Sequence, residues 1–468
     1  MATSIKINFI YNVAYQILVI IIPLITTPYL ARTIGANGTG IYSYNASIAS
    51  YFSMFILLGL NNYGSRSIAR VQNNKETRST VFWNLYCMQI ICGIISLLFY
   101  LVYCCKFAKD KTAAYVFFLY VSSSVLDITW FFSGLEQFRL ITIRNTIIKT
   151  LTLCSILFFV KTVNDVYIYI LIYSFGALLS QMVMFMYLFK YVTKPKIIHV
   201  KEVVSNLKPN IELFIPVIAI SLYKVMDKIM LGSMKGTLVV GYYESCERVL
   251  NVPMAFITAL GVVMLPRMSL IYSSETVSDK ANRYIKKSLN FVMILSTSIS
   301  FGIMGVANEF VPIFYGIGFE PCIQIFMAIM PCTMFMAFAN VIRTQYLIPQ
   351  GFNREYIISI ISGACVNLIF NSITISLYGA IGAAISTVLA EATVCALQCV
   401  FVRNAFNIPG LIRDNMEFVL YGLLMFIIVY NIHLSGIMGL FYKIVIGAFI
   451  YTFLLCTVGR NKIIGLKI

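Results

Sequence analysis

The sequence has few of the residues that soluble enzymes and metal proteins rely on. Its 468 residues include only two histidines, two tryptophans and 18 acidic side chains. His199 and His433 each stand near the end of an apolar run, so we expect no histidine-based metal site or nucleophile. The twelve cysteines lie almost entirely inside apolar runs without paired zinc spacings, which is typical of apolar filler residues. We therefore predict no cofactor and no bound metal.

Nucleotide chemistry and large polar domains are missing as well. No Gly-x-x-x-x-Gly-Lys-Ser/Thr phosphate loop occurs, which excludes nucleotide hydrolysis by that route. The two longest segments between apolar runs, 190–209 and 267–287, are too short for an ordered soluble domain. We therefore do not expect an enzyme.

Apolar residues are abundant instead. They make up 60% of the chain, whereas charged residues make up 11%, and the mean hydropathy is +0.86. These values exclude an ordinary soluble globular protein and indicate a membrane protein.

The net charge of +17 could suggest a nucleic-acid partner, but its distribution argues against one. Lys and Arg cluster in short segments between apolar runs, as membrane topology signals do. They concentrate in alternate segments, so the positive-inside rule predicts a multi-pass protein with both termini in the cytoplasm. The basic segments 190–209 and 267–287 should also attract anionic lipid headgroups, which makes membrane lipids expected partners.

Fourteen apolar runs are candidate membrane spans, and most match the roughly 20 residues that cross about 30 Å of hydrocarbon. We predict an all-α polytopic membrane protein with about 14 transmembrane helices. The predicted spans are 8–31, 39–62, 81–104, 113–134, 143–160, 166–189, 210–234, 238–262, 288–310, 322–346, 357–377, 379–402, 416–434 and 437–458.

A weak internal repeat indicates two lobes. The first span reads IIPLITTPYLARTIG before Gly40–Tyr42, and the seventh reads FIPVIAISLYKVMDKIMLG before Gly241–Tyr243. Duplicated helical repeats are common in secondary transporters, where the substrate path lies between the repeats. The basic segment 190–209 follows the sixth span, where a linker between two lobes would lie.

The seventh and eighth spans carry ionisable residues at membrane depth. Such groups cost several kcal/mol unless they are paired or face a watery cavity, so they are candidates for a functional site. Helical spacing places Lys224, Asp227 and Lys228 on neighbouring parts of one face of the seventh span. They can form interhelical ion pairs, or part of the set can line a hydrophilic cavity. The six residues are Lys224, Asp227, Lys228, Glu244, Glu247 and Arg248.

Further polar candidates lie in other spans. Asp127 and Trp130 stand one turn apart in the fourth span, which we interpret as a cavity-facing stripe. Arg32, Arg343 and Glu391 are charges at the membrane edge or inside it. The candidate acids for coupling transport to an ion gradient are Asp127, Asp227, Glu244 and Glu247.

Several motifs in this order resemble the polysaccharide-unit flippases of the multidrug/oligosaccharidyl-lipid/polysaccharide exporter superfamily. They are YNVAYQILVIIIPLITTPYLARTIGANGTGIYSYNASIASYF, LLGLNNYGSRSIA, IPVIAISLYKVMDKIMLG, VGYYESCERVLNVP, VMLPRMS and IGAAISTVLAE. The resemblance implies transport of an undecaprenyl-diphosphate-linked oligosaccharide repeat unit from the inner to the outer leaflet of a bacterial cytoplasmic membrane. It also implies two six-helix lobes, residues 1–204 and 205–405, and two accessory helices in residues 406–468.

The same resemblance bears on the site and its partners. Cation-lined cavities are usual in this family, and the candidate substrate-binding residues here are Arg32, Lys224, Lys228 and Arg248, with Trp130 as a further cavity candidate. Several acids lie close to these cations, so the cavity is expected to be mixed in charge. The implied partners are a lipid-linked oligosaccharide, membrane lipids and a polysaccharide polymerase.

Three other functions remain open at this point. A multidrug cation antiporter of the same superfamily should have an acidic and aromatic cavity. A non-transporting membrane scaffold should have all its intramembrane charges paired. A membrane glycosyltransferase would need a sizeable outer loop with catalytic acids, which this sequence does not contain.

Overall fold

The protein is built from α-helices. The computed structural model describes residues 19, 21–194, 200–272, 278–457 and 459, without the side chains of residues 223, 224, 278 and 279. These ranges contain helices and turns but no β-strand, which confirms the predicted all-α membrane fold. The helices are α1 (21–33), α2 (Gly35–Leu57), α3 (Leu60–Arg70), α4 (Lys75–Lys106), α5 (Lys111–Val125), α6 (Thr129–Gly134), α7 (Phe138–Phe159), α8 (Val166–Tyr191), α9 (Val200–Ser205), α10 (Leu207–Met234), α11 (Thr237–Tyr272), α12 (Ser278–Phe314), α13 (Pro321–Ile329), α14 (Cys332–Ile342), α15 (Asn353–Tyr378), α16 (Ala380–Phe401), α17 (Ile408–Tyr430) and α18 (Gly436–Thr457).

Within the described ranges, 12 stretches of helix are long and apolar enough to cross a bilayer. Two predicted spans account for the difference from fourteen. Half of the span 8–31 falls outside the described residues. The helix α17 covers residues 416–430 of the span 416–434, and its first half contains Arg413, Asp414 and Glu417. The helices also expose large apolar side chains such as Phe99, Phe159 and Leu377, which a soluble fold would bury.

Three predicted spans are interrupted. The span 39–62 breaks at Leu58 and Gly59, because α2 ends at Leu57 and α3 begins at Leu60. The span 113–134 forms two helices, because α5 ends at Val125 and α6 begins at Thr129. The span 322–346 forms α13, α14 and a π-helical segment, Arg343–Leu347. Pro331 precedes α14 and has no N–H to continue the hydrogen-bond ladder, which accounts for the break before that helix.

The chain forms two compact units, Met1–Ser221 and Leu222–Ile468. In the first, α2, α5 and α8 pack together around aromatic residues. The ring centroid of Tyr42 lies 4.6 Å from that of Tyr169 and 5.8 Å from that of Phe117. The predicted lobe limits at 204/205 and 405/406 stay predictions.

In the second unit, α15 packs along α16, and α12 packs against α14, α17 and α18. A glycine permits the close approach of α15 and α16. A Cβ atom at Gly382 would lie 2.1 Å from the backbone oxygen of Thr374, so only a residue without a side chain fits there. The tight packing of this helix pair fixes the positions of the polar residues described below.

Candidate functional site

The ionisable residues of α10 and α11 form a cluster of ion pairs. Glu244, Glu247 and Arg248 are three and four residues apart, so they share one face of α11. Lys228 of α10 reaches two of them: its Nζ lies 2.9 Å from Oε2 of Glu244 and 2.9 Å from Oε2 of Glu247. The Nε of Arg248 donates to Oε1 of Glu244 at 2.8 Å. We call Lys228, Glu244, Glu247 and Arg248 the charged cluster.

The charged cluster is balanced and partly accessible. Its two cations and two anions cancel in formal charge. The side chains keep between 11% and 25% of their surface exposed, so the cluster is not sealed inside a dry core. In this conformation all four residues form interhelical or intrahelical ion pairs. Their charged groups are also partly exposed.

Asp227 precedes Lys228 directly but has different partners. Its carboxylate is buried and accepts three hydrogen bonds from neutral groups. Oδ1 accepts from Nδ2 of Asn371 at 2.6 Å, and Oδ2 accepts from the Tyr243 hydroxyl at 2.8 Å and the Thr387 hydroxyl at 2.9 Å. None of the ion pairs between described side chains includes Asp227.

Four helices contribute to this second group, which we call the Asp227 cluster: Asp227, Tyr243, Asn367, Asn371 and Thr387. Asn367 and Asn371 stand one turn apart on α15, and Nδ2 of Asn371 also donates to Oδ1 of Asn367 at 3.0 Å. Oδ1 of Asn371 and Nδ2 of Asn367 are buried and have no hydrogen-bond partner among the described residues. Buried amides without partners are uncommon and often mark a functional position.

The oxygens of the Asp227 cluster are the kind that hold a proton or a hard cation. Carboxylate, amide and hydroxyl oxygens are the preferred ligands of such ions. Among the described residues, no group of three or more His, Cys, Asp or Glu side chains has the arrangement of a metal site. A cation here would therefore be held by one carboxylate and neutral oxygens.

The predicted site residues of the fourth span have structural contacts. Oδ1 of Asp127 accepts the N–H of Thr129 at 2.9 Å, in the break before α6. Trp130 is only 1% exposed, and its Nε1 donates to Oε1 of Gln89 at 3.0 Å. Its ring stacks on Phe82 with centroids 5.7 Å apart. The predicted cavity-facing position of Trp130 is therefore wrong, because its ring is fully packed in the core of the first unit.

The other predicted charges are dispersed. Arg32 is exposed on α1, and Lys224 lies on α10 with its side chain outside the described part of the chain. The guanidinium of Arg343 lies 5.8 Å from the ring centroid of Tyr356. Glu391 is buried on α16. Arg32, Arg343 and Glu391 do not belong to either cluster.

Among the described residues, two buried cations were not predicted. Arg144 of α7 is 7% exposed and bonds to Oδ1 of Asn145 and Oε1 of Gln181. Arg144 stands at the start of the predicted span 143–160, so its charge was interpreted as part of the preceding loop. Lys443 of α18 is 1% exposed, and its Nζ lies 2.7 Å from Oε1 of Glu309 on α12. A lone lysine inside the last apolar run was the available signal.

Comparison with known proteins places this arrangement in a family. The sequence profile of a family described as polysaccharide biosynthesis protein matches residues 5–272, which is more than half of the chain. The chain belongs to this family. The resemblance inferred from the motifs is thus confirmed.

Relatives of this chain include transporters. A putative O-antigen transporter of Escherichia coli K12 is 26% identical over 405 residues, covering 86% of this chain and 97% of the relative. A probable low-salt glycan biosynthesis flippase, Agl15 of Haloferax volcanii, is 27% identical over 192 residues. That match covers 40% of this chain and 39% of the relative. The relatives are transporters rather than enzymes, as predicted.

Solved structures share the fold. The lipid II flippase MurJ, in an inward closed conformation, superposes with a TM-score of 0.76 at 14% identity, covering 98% of this chain and all of that one. An inward-facing multidrug resistance MATE transporter of the MOP superfamily gives 0.55 at 14% identity, covering 84% and 99%. At such low identity these similarities establish the fold of this family member and nothing about its substrate.

Proposed function

We propose that this protein is a flippase. It moves an oligosaccharide repeat unit, linked to undecaprenyl diphosphate, from the inner to the outer leaflet of a bacterial cytoplasmic membrane for cell-surface polysaccharide synthesis. The observation that carries this proposal is membership of the polysaccharide biosynthesis protein family. A near full-length similarity to a putative O-antigen transporter supports it.

The physical problem that such a protein solves is the transfer of a polar headgroup. A diphosphate bearing several sugars cannot cross about 30 Å of hydrocarbon unaided, because unpaired charges and hydroxyls are costly there. A wet cleft can hold the headgroup while the lipid tail stays in the bilayer. Alternating exposure of that cleft to the two sides moves the headgroup across.

Lys228 and Arg248 are the proposed phosphate-binding cations of the charged cluster. Each already bonds to a carboxylate, and phosphate oxygens accept the same charge-assisted hydrogen bonds. A diphosphate can therefore replace a glutamate as partner without leaving the cation unpaired. Lys224 and Arg32 remain proposed contributors from the sequence.

Among the four candidate coupling acids, the geometry favours Asp227. Glu244 and Glu247 already have cationic partners, and Asp127 accepts a backbone N–H. The Asp227 carboxylate is held by neutral donors, so binding a proton or a small cation would neutralise it in place. With no nucleotide-hydrolysing motif in the sequence, an ion gradient acting through Asp227 is the proposed source of direction.

The orientation and a partner complete the proposal. We place both termini in the cytoplasm because the basic segments favour that side. A polysaccharide polymerase on the outer face would consume the transported units.

The test of the proposed cargo is deletion of the gene in its host. We expect lipid-linked repeat units to accumulate on the inner leaflet and surface polysaccharide to disappear. Re-expression of the wild-type chain should remove the accumulated lipid-linked units and restore surface polysaccharide. Re-expression of Arg354→Gln, which changes an exposed arginine of α15 outside both clusters, should do the same. Unchanged polysaccharide would contradict the proposal.

The multidrug cation antiporter is the second candidate, because a MATE transporter shares the fold. It is less well supported, since the charged cluster is balanced rather than acidic. If deletion left polysaccharide intact and made cells sensitive to cationic drugs, this function would replace the flippase.

A further inference from the structure

A cavity of about 460 Å³ lies beside the N-terminal parts of α12 and α17 in the second unit. Asn282 and Lys286 of α12, Asn407 of the preceding turn, and Arg413 and Asp414 of α17 belong to its lining. It shares no residue with the charged cluster or the Asp227 cluster. Its volume falls within the range of about 300–1,000 Å³ that is usual for small-ligand sites.

The lining carries an excess of positive charge. Nζ of Lys286 lies 2.6 Å from Oδ2 of Asp414, so these two charges offset each other. Arg413 adds a second cation that is exposed. Among the ion pairs between described side chains, none involves Arg413. The cavity therefore offers a net single positive charge, with a planar guanidinium suited to phosphate oxygens.

An exposed apolar stripe begins beside this cavity. Ile412, Met416 and Leu420 recur every four residues along α17 and are 46%, 50% and 52% exposed. Residues at this spacing lie on one face of a helix. The stripe therefore starts one residue before Arg413 and continues along the membrane-spanning helix. A soluble anion would make no use of such a stripe, whereas an acyl chain would.

We propose that this cavity binds the phosphodiester headgroup of an anionic glycerophospholipid, with the acyl chains along the stripe of α17. Arg413 contacts the phosphate, and Lys286 and Asn282 complete the polar lining. The single excess positive charge matches the single negative charge of a phosphatidylglycerol headgroup. The cavity lies at the basic end of α12, where Arg283 is also exposed, and anionic lipids gather beside such basic segments. This site is independent of the transported substrate.

The test measures thermal stabilisation of the purified full-length chain in detergent by short-chain lipids. We expect dioctanoyl phosphatidylglycerol to raise the melting temperature in a saturable way, and dioctanoyl phosphatidylcholine to have a much smaller effect. Arg413→Gln should weaken the apparent affinity for phosphatidylglycerol about fivefold, which corresponds to roughly 1 kcal/mol for one cation near anionic lipid. Arg413→Lys should retain most of the binding.

The matched control is Arg354→Gln, which removes one exposed positive charge from α15 away from the cavity. It should leave the lipid response unchanged. Equal weakening by both variants, or no weakening by Arg413→Gln, would overturn the proposal, because binding would then be non-specific or located elsewhere. If Arg413→Gln does not fold, the comparison is made with Arg413→Lys and Arg413→His, and equal affinities across wild type and both variants would overturn it.

Inorganic phosphate provides the last arm of the experiment. Saturable stabilisation by phosphate that depends on Arg413 as strongly as the lipid response would identify a free-anion site and overturn the lipid proposal. Native mass spectrometry of the same samples should show a phosphatidylglycerol adduct that is weaker in Arg413→Gln. Neither readout requires flipping, so the result is separate from the test of the proposed function.

Discussion

Asp227 and Lys228 are sequence neighbours whose side chains belong to different environments. Successive residues of a helix are rotated by about 100°, so adjacent side chains point to different neighbours. Lys228 meets two glutamates of α11, whereas Asp227 meets the amide of Asn371 on α15 and two hydroxyls. The charged cluster is thereby balanced, and Asp227 is left as a buried carboxylate among neutral donors.

Replacing Asp227 with Asn should uncouple transport from the ion gradient. The change preserves size but removes the charge that would bind a proton or cation. It also places an amide NH₂ group against the N–H and O–H groups that donate to the carboxylate, and the lost hydrogen bonds cost about 1–3 kcal/mol. We expect loss of export and a modest fall in the melting temperature. The measurements are surface polysaccharide and unfolding in detergent at matched protein levels.

The control for this change is Glu212→Gln, which neutralises an exposed acid on the same helix. It should leave export and the response to dissipating the gradient unchanged. Normal gradient-dependent export by Asp227→Asn would remove Asp227 from the coupling role.

Lys228→Gln leaves the two glutamates in unequal situations. Glu244 keeps Arg248 as a partner, whereas Glu247 has no other ion pair among the described side chains. Breaking a buried pair costs roughly 3–5 kcal/mol, and the partial exposure here should place the loss at or below the lower end. Adding Glu247→Gln to Lys228→Gln should restore the melting temperature better than adding Glu244→Gln. Adding Glu244→Gln would leave Glu247 without a cation and would also take away the carboxylate that pairs with Arg248.

Export in the same variants separates binding from structure. If Lys228 contacts phosphate, Lys228→Gln combined with Glu247→Gln will regain stability but not export. Recovery of both would make Lys228 a structural residue and leave Arg248 as the cation to test next.

At the scale of elements, the last helix is fastened to its neighbour by a buried ion pair. Lys443 of α18 and Glu309 of α12 lie 2.7 Å apart, with 2% and 12% of their side chains exposed. The second carboxylate oxygen of Glu309 is buried and has no partner in the described part of the chain, so Lys443 is the cation that neutralises this acid there. An unpaired charge at this depth is costly.

Lys443→Gln should therefore lower stability by roughly 3–5 kcal/mol, because it strands Glu309. The double variant Lys443→Gln and Glu309→Gln should recover most of that loss. Thermal unfolding in detergent is the measurement, and Lys280→Gln, which changes an exposed lysine near the other end of α12, serves as the charge-matched control. Equal stability of the single and double variants would show that a stranded Glu309 is not the cause of the loss.

At the scale of the whole molecule, the topology is the property on which the proposed direction of transport depends. Single reporter cysteines at the exposed positions Lys235 and Lys280 should behave oppositely in intact cells. The positive-inside rule predicts that an impermeant thiol reagent labels position 235 and not position 280. The background must have the exposed native cysteines replaced by serine: Cys105, Cys154, Cys365 and Cys456.

Permeabilised cells provide the control, because both positions should label once the reagent can reach the cytoplasm. Labelling of position 280 in intact cells would reverse the proposed orientation.

The sequence by itself determined the class of the protein and nearly all of its helices. A bilayer offers no hydrogen bonds to the backbone, so each crossing must be an apolar helix that satisfies its own N–H and C=O groups. That requirement is local and can be recognised in a run of apolar residues. Charged residues inside such runs are rare, which is why the residues of the charged cluster and Asp227 could be named before their positions were known.

Only the tertiary structure decided which partner each of these residues has. Spacing along a helix gives the relative directions of its side chains but not the direction of the core. Trp130 was therefore assigned to a cavity although it is packed against Phe82. The partners of Asp227 include Asn371 and Thr387, on two helices far along the chain. Small polar residues are common in apolar runs, so nothing local marked these two, and only the packing of α15 and α16 brought them to the carboxylate.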